Sequence, residues 1–353
     1  SVRLTQEGVA WIHQTQHELP IHLLHRTWSE YVQQALHARL LRRDVHYIVD
    51  DQGTVQIVDT STGRIFTDRS WRDGLHQAVE AKERVVITGE RRPLAQITRQ
   101  RFARLYERLA GTTGTATGCE REFQQVYRLE VQSIPLRTPS QRAIWPARFF
   151  TRQQTKWDAI AASVDELHAR QRPVLVGTRS IADSERLAEL FRQQGIEFEL
   201  LNGRQDAEEA AIVGQAGLRG AVTIATSLAG RGTDIKLGTG VADLGGLHVV
   251  VCECDESERI DRQLIGRCAR QGEPGSAQIF VSAEDSLVAQ HGSWLAQSIA
   301  RLAGPDGELR LDLLPKIRRI QRAAERRANA ARAALLRRDL SRDSLHSRRS
   351  LDS

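Results

Sequence analysis

Val222-Thr223-Ile224-Ala225-Thr226-Ser227-Leu228-Ala229-Gly230-Arg231-Gly232-Thr233-Asp234-Ile235 is the run that decides how this chain folds. Its β-branched start, Val222 to Ala225, reads as a buried strand that enters a loop around Gly230 and Gly232. Glycines in such a loop permit positive φ and close backbone approach, which suits contact with phosphate or ribose. Arg231 offers a planar fork of donors, and Asp234 either accepts hydrogen bonds from ribose or water or fixes an arginine.

A second element follows about a helix and a strand later, Gln263-Leu264-Ile265-Gly266-Arg267-Cys268-Ala269-Arg270-Gln271-Gly272. Arg267 and Arg270 are three residues apart, so on a helix they project from nearly the same face. Two guanidinium groups aimed at one point suit a polyanion and stabilise charge developing on a transferred γ-phosphoryl group. Either element alone is equally well read as solvated charge beside a plain turn. The pair together points to half of a nucleotide site.

Outward from these runs the pattern alternates. Pro173 to Ser180 predicts a buried strand with a Gly-Thr turn, Gly195 to Asn202 another strand, and Trp157 to His168, Ser184 to Gln193 and Glu208 to Ala216 helices. Strands and helices alternating at this spacing predict an α/β domain with a mostly parallel sheet, RecA-like in the sense of P-loop NTPases. Ligands of such folds bind beyond the carboxyl ends of the strands, and the loops singled out are expected to follow strands.

Upstream, Tyr47 to Val49 and Val55 to Val58 flank Asp51-Gln52-Gly53, a hairpin signal. The run from Asp73 to Glu83 reads as a helix, with Leu75, Val79 and Lys82 on one face and Glu80 and Glu83 on another. Phe102, Leu105, Tyr106 and Leu109 predict an amphipathic helix ending at Gly111, and Val126 to Pro135 a short strand and a connection. Between them, Thr112-Thr113-Gly114-Thr115-Ala116 has the small hydroxyls and glycine of a loop that senses phosphates, or of a plain loop. Trp28, Tyr31, Leu36 and Leu40 would share a helix face near the start. A long helix is expected from about Leu314, with Ile317, Ile320, Ala324, Ala328, Ala331 and Leu335 stepping by three and four. Its other face carries many arginines, which also suits an acidic lipid surface.

The 353 residues suffice for two or three domains. The net charge is +6, and of the 50 Lys and Arg residues only Lys82, Lys156, Lys236 and Lys316 are lysines, a balance that favours anionic partners. Four cysteines are too few and too poorly spaced for a disulfide framework; Cys252 and Cys254 lie in an apolar strand pattern and are read as buried small side chains. No metal site is expected. No apolar run approaches the roughly 20 residues that span a bilayer. The chain starts at Ser1 and contains no methionine, as expected of a segment of a longer protein.

Thr223 to Thr226 with Ala229 to Ile235 resembles the fifth motif of superfamily 2 helicase-like motors, in the wording of the SecA family of bacterial preprotein translocase ATPases. The resemblance continues through Gly245-Gly246-Leu247-His248, Glu256 to Leu264, and Gly266-Arg267 to Gly272; upstream it includes Asp73 to Glu83 and the third-motif run Thr112 to Ala116. It covers about residues 45–340. Departures are Asp59-Thr60-Ser61-Thr62-Gly63-Arg64, where the family usually has Asp-Glu-His-Thr-Gly-Arg, and Ala269 in place of a glycine.

The resemblance implies the end of a preprotein cross-linking clamp (1–45), the returning part of a first nucleotide-binding domain (46–118), a second, RecA-like one (119–298), the start of a helical scaffold (299–340) and a disordered tail (341–353). It implies ATP with Mg²⁺ as cofactors, contacted here by Gly230, Arg231, Gly232, Thr233, Asp234 and Gln263, with Arg267 and Arg270 catalytic and Thr113, Gly114, Thr115, Glu80 and Glu83 coupling. For Glu80 and Glu83 the alternative is solvated helix charge. Implied partners are an unfolded preprotein, the Sec translocation channel, acidic phospholipid at the inner face of the cytoplasmic membrane, and a second copy in a homodimer, with nucleic acid disfavoured. No Gly-x-x-x-x-Gly-Lys-[Ser/Thr] loop occurs in the sequence, so the phosphate floor and most of the Mg²⁺ binding are expected from a preceding domain. A nucleic-acid helicase and a non-hydrolysing regulatory module remain as alternatives.

Overall fold

The structure, a computed structural model, describes residues 3–14, 24–59, 65–90, 97–201, 209–226 and 233–349. The chain divides into two units, Ser1–Leu94 with Ser180–Ala182, and Ala95–Arg179 with Asp183–Ser353.

In the first unit α1 (Gln6–Gln14) and α2 (Trp28–Leu40) precede a three-stranded antiparallel sheet, β1 (Tyr47–Val49), β2 (Val55–Val58) and β3 (Ile65–Phe66), and α3 (Leu75–Glu83) follows it. Gly53, at φ 76°, makes the expected hairpin turn between β1 and β2. Helix α2 buries Ala38, whereas Leu40 is 65% exposed, so the expected Trp28–Leu40 face is not the packed one. The register is set by a small core of Ala38, Tyr47, Val55 and Val79. Polar groups close that core: Lys82 Nζ donates to the carbonyls of Leu41 (2.6 Å) and Ala38 (3.3 Å) and to Tyr47 Oη (2.9 Å). It thereby satisfies carbonyls left open at the end of α2. Glu80 is buried, accepting from Thr88 N at 2.9 Å and Thr88 Oγ1 at 2.7 Å, so it is not solvated helix charge.

The second unit runs α4 (Arg99–Ala103), α5 (Glu120–Tyr127), β4 (Gln141–Ile144), β5 (Arg148–Phe150), α6 (Gln153–Ala169), β6 (Val174–Thr178), α7 (Ile181–Gln193, its first two residues counted with the first unit), β7 (Glu199–Leu201), α8 (Glu209–Gln215) and β8 (Val222–Thr226). It continues with β9 (Leu247–Val251), α9 (Glu258–Ile265), β10 (Pro274–Ser282), α10 (Ser286–His291), α11 (Ser293–Leu302), β11 (Glu308–Leu309) and α12 (Leu314–Arg349). Its sheet has the order β11-β5-β10-β9-β6-β8-β7 with β4 also on β10, and among the described residues only the β11–β5 pairing is antiparallel. Strands β6, β8 and β9 are buried along their whole length, as a parallel sheet covered on both faces requires.

Alternation along the strands sends side chains into two cores. One holds Val174, Val176, Val222 and Ile224 against Trp157, Ile160 and Val164 of α6 and Leu187 and Phe191 of α7. The other holds Leu175, Ala225 and Val249 against Val213 of α8, Leu264 and Ile265 of α9, and Ile317 and Ile320 of α12. The result is the expected α/β layering, with the parallel sheet between helices and a long C-terminal helix added.

Three sequence expectations need correction. The helix over Phe102–Ala110 stops at Ala103, and Phe102, Leu105 and Tyr106 are exposed; apolar spacing was present, but among the described residues no core covers these three side chains. Val126 and Tyr127 end helix α5 rather than forming a strand, because Glu120, Glu122 and Val126 give an amphipathic turn pattern that outweighs the β-branched residues. Helix α12 continues through Arg349, past the expected onset of disorder after Asp339.

Candidate functional site

Two close approaches place the arginines. Helix α9 lies on strand β6 at Gly177, where an added Cβ would come within 2.2 Å of Leu264 Cδ2. The glycine lets Leu264, 4% exposed, sink into the sheet core, a burial that contributes about 2 kcal/mol. Beyond α9 the chain turns sharply through Ala269 (φ 53°), Gln271 (φ 55°) and Gly272 (φ 85°) before entering β10. The arginine loop thus follows a helix and precedes a strand, whereas the Asp234 segment lies beyond β8; only the second matches the expected position after a strand. Ala269 occupies a left-handed position that glycine adopts without strain, which accounts physically for glycine at this point of the pattern.

Arg267 is 8% exposed and donates from Nη1 to Thr233 O at 3.3 Å. Arg270 donates from Nη1 to Asp234 Oδ1 at 2.7 Å and from Nε to Gly266 O at 3.2 Å, and Gln271 Nε2 donates to Asp234 Oδ2 at 3.0 Å. In this structure Asp234 holds an arginine, one of its two sequence readings. On the last turn of α9, Gln263 Nε2 donates to Thr115 Oγ1 at 3.1 Å and Arg262 Nη2 to Thr117 O at 2.5 Å. Thr115 is in turn bonded to Thr113, its N–H donating to Thr113 Oγ1 at 3.2 Å.

These groups border a cleft of about 900 Å³, lined by Thr112, Thr113, Gly114 and Thr115 on one side and by Gln263, Gly266, Arg267 and Arg270 on another. Arg137, Thr138 and Arg142 complete it. Arg142 donates from Nε and Nη2 to Cys268 O at 3.3 and 2.9 Å, bracing the arginine loop from β4, and Gln141 Nε2 donates to Gly272 O at 2.6 Å. Sequence reading missed Arg137 and Arg142, which stand in no recognisable motif; Arg262 lies inside a quoted run but was given no role there.

Among the described residues the lining holds five arginines and no carboxylate. That donor set fits a phosphate chain. With no carboxylate and five guanidinium groups it is a poor fit for a divalent cation, to which it offers only neutral hydroxyl and amide oxygens. Gly230, Arg231 and Gly232 lie outside the described residues. Glu83 lies in the first unit, accepting from Tyr47 Oη at 2.5 Å; neither it nor Glu80 belongs to this cleft.

Behind the site, α9 is fastened by a buried carboxylate. Asp261 accepts from Asp255 N (2.8 Å), Gln321 Nε2 (2.7 Å) and Arg318 Nη1 (3.3 Å), and burial pushes its carboxyl up to about 7 against the pull of these donors. His248 Nδ1 shares a hydrogen with Ser276 Oγ at 2.7 Å, and burial next to the Arg172 guanidinium pushes its imidazole down to about 3. Cys252 and Cys254 are buried free thiols, in keeping with their place in an apolar pattern.

Two family models match the chain: the SecA P-loop domain over residues 139–243 and 239–306, and the SecA preprotein cross-linking domain over residues 1–80. The protein translocase subunit SecA 2 of Nitrosospira multiformis is 50% identical over 263 residues, which is 74% of this chain and 39% of that protein. The subunit SecA of Desulfovibrio desulfuricans is 48% identical over 311 residues, 86% of this chain and 36% of that protein. The chain therefore spans well under half the length of these relatives. Among solved structures, E. coli DEAD-box protein SrmB bound to RraA aligns over 45% of this chain and 87% of its own, at 22% identity and a TM-score of 0.34. On its sequence relatives and the two domain matches, this chain belongs to the SecA family of protein translocase subunits.

Proposed function

We propose that this chain is the later half of an ATP-driven motor that moves unfolded preproteins through the Sec channel of the cytoplasmic membrane. The carrying observation is the cleft in which Arg267 and Arg270 stand beside the Thr113–Thr115 loop, linked to it by Gln263. In this scheme ATP binds with its triphosphate towards these arginines, and the phosphate-binding loop and Mg²⁺ ligands come from a preceding domain. Arg267 and Arg270 stabilise charge on the transferred phosphoryl group, while Asp234 yields Arg270 when phosphate competes for it. Gly230, Arg231, Gly232 and Thr233 meet the nucleotide from the β8 side. Thr113, Gly114 and Thr115 report the occupancy of the site.

The domain limits given by the resemblance belong to the same proposal: clamp end at 1–45, first-domain edge at 46–118, second nucleotide-binding domain at 119–298 and scaffold from 299. So do a peripheral location at the inner membrane face, acidic lipid beneath the arginine-rich helix, and a homodimer. No helix among the described residues is long and apolar enough to cross a membrane.

ATPase assays of the full-length protein test the motor reading. An unfolded preprotein with channel-containing vesicles is expected to stimulate turnover, and single-stranded nucleic acid to leave it unchanged. The opposite pattern would transfer the site to a nucleic-acid motor, and no ATP binding at all would leave a regulatory module.

A further inference from the structure

Helix α12 carries a polar stripe with a strict seven-residue spacing: Arg318, Glu325, Arg332 and Asp339. Seven residues fall about 20° short of two helical turns, so these four side chains stay within one sector of roughly 60°. Each meets a different piece of the cleft's frame. Arg318 Nη1 donates to Asp261 Oδ2 of α9 at 3.3 Å, and Ser257 Oγ, just before α9, donates to Glu325 Oε1 at 2.6 Å. Arg332 grips Glu122 of α5 with two bonds, Nε to Oε1 at 2.7 Å and Nη2 to Oε2 at 2.9 Å. Asp339 Oδ2 accepts from Thr98 N at 2.9 Å and Thr98 Oγ1 at 2.7 Å, at the cap of α4, while Arg101 Nη1 lies 3.5 Å from its Oδ1.

Helices α4 and α5 bracket the segment that holds Thr112 to Thr115, and α9 leads directly into the arginine loop. Both walls of the cleft are thus fastened to one helix face. The loop and α9 then meet through two polar bonds, Gln263 to Thr115 and Arg262 to Thr117. A bidentate guanidinium–carboxylate pair fixes orientation as well as distance, which a plain surface charge does not.

We propose that this seven-residue stripe sets the opening of the cleft, with Arg332 and Asp339 as positioning residues that hold the threonine loop in register with Arg267 and Arg270. Its influence on turnover, though not on geometry, rests on the reading of the cleft as an ATP site.

The test uses the full-length protein with Cys119→Ser and spin labels on Ala110→Cys, two residues before the threonine loop, and Ser140→Cys, next to β4 in the cleft lining. Arg332→Glu is expected to broaden or shift the inter-label distance distribution, the charge swap Arg332→Glu with Glu122→Arg to restore it, and Arg326→Gln, at an exposed position of the same helix, to leave it unchanged. In the unlabelled protein, Arg332→Glu is expected to lower kcat roughly fivefold with KM for ATP held, the swap regaining most of it. An unaltered distance distribution in Arg332→Glu, or a swap that fails to restore it, overturns the proposal. So does a restored geometry with kcat at wild-type level throughout. A distribution that responds and is rescued in a protein that hydrolyses no ATP upholds the stripe and removes the motor reading instead.

Discussion

Asp234 holds Arg270 by a 2.7 Å bond from Nη1 to Oδ1, across 36 residues of chain, while its other oxygen accepts from Gln271. The segment beyond β8 and the loop after α9 are latched together by this pair. In the proposed motor, phosphate competes with the carboxylate for Arg270. Arg270→Ala in the full-length protein is therefore expected to lower kcat by about 10²-fold. Arg270→Lys should not restore it, because an ammonium lacks the planar fork that meets carboxylate and phosphate alike. Steady-state ATPase measurements decide this, and near-normal turnover in Arg270→Ala would remove the catalytic role.

Gly177 determines how deeply α9 sits. Gly177→Ala places a methyl within 2.2 Å of the Leu264 side chain, which is buried and has little space to retreat. The expected cost is about 1–3 kcal/mol in denaturant unfolding, the usual range for overpacking. Because α9 carries Gln263 and leads to Arg267, phosphate-analogue binding should weaken as well. Normal stability in this variant would contradict the packing described.

Two buried groups give opposing pH slopes. His248 has a folded pKa of about 3 against an ordinary 6.5, so the unfolded chain binds the extra proton and stability falls as pH drops from about 6.5 to 3. Asp261 has a folded pKa of about 7 against 3.8, so the folded chain holds the proton and this group's contribution falls as pH rises from about 4 to 7. His248→Gln and Asp261→Asn should each remove one slope. Urea midpoints measured across this range in both variants and the parent check both signs; parallel curves would refute the shifts.

Glu80 serves the packing of the first unit. Removing its carboxylate in Glu80→Ala takes the partner from the buried His76 Nε2 (3.4 Å) and the brace from the Thr88 N–H and hydroxyl, and is expected to cost about 1–3 kcal/mol. A variant with unchanged melting but impaired preprotein-stimulated ATPase would instead favour the interdomain coupling role implied by the family resemblance.

The sequence by itself determined the α/β layering, the hairpin at Gly53, the long C-terminal helix and the two loops that carry Asp234, Arg267 and Arg270. Those features follow from periodicity and turn chemistry, which act over a few neighbouring residues. It misjudged Phe102–Ala110 and the Leu40 face, because apolar spacing shows that a helix is possible and says nothing about whether a partner surface covers it. Only the tertiary structure decided that Asp234 meets Arg270, that Arg142 braces Cys268, that Leu264 enters the gap left by Gly177, and that each member of the α12 stripe has its own partner. Each of these joins residues tens to hundreds of positions apart, where the choice of partner depends on how whole elements pack and local chemistry leaves it open.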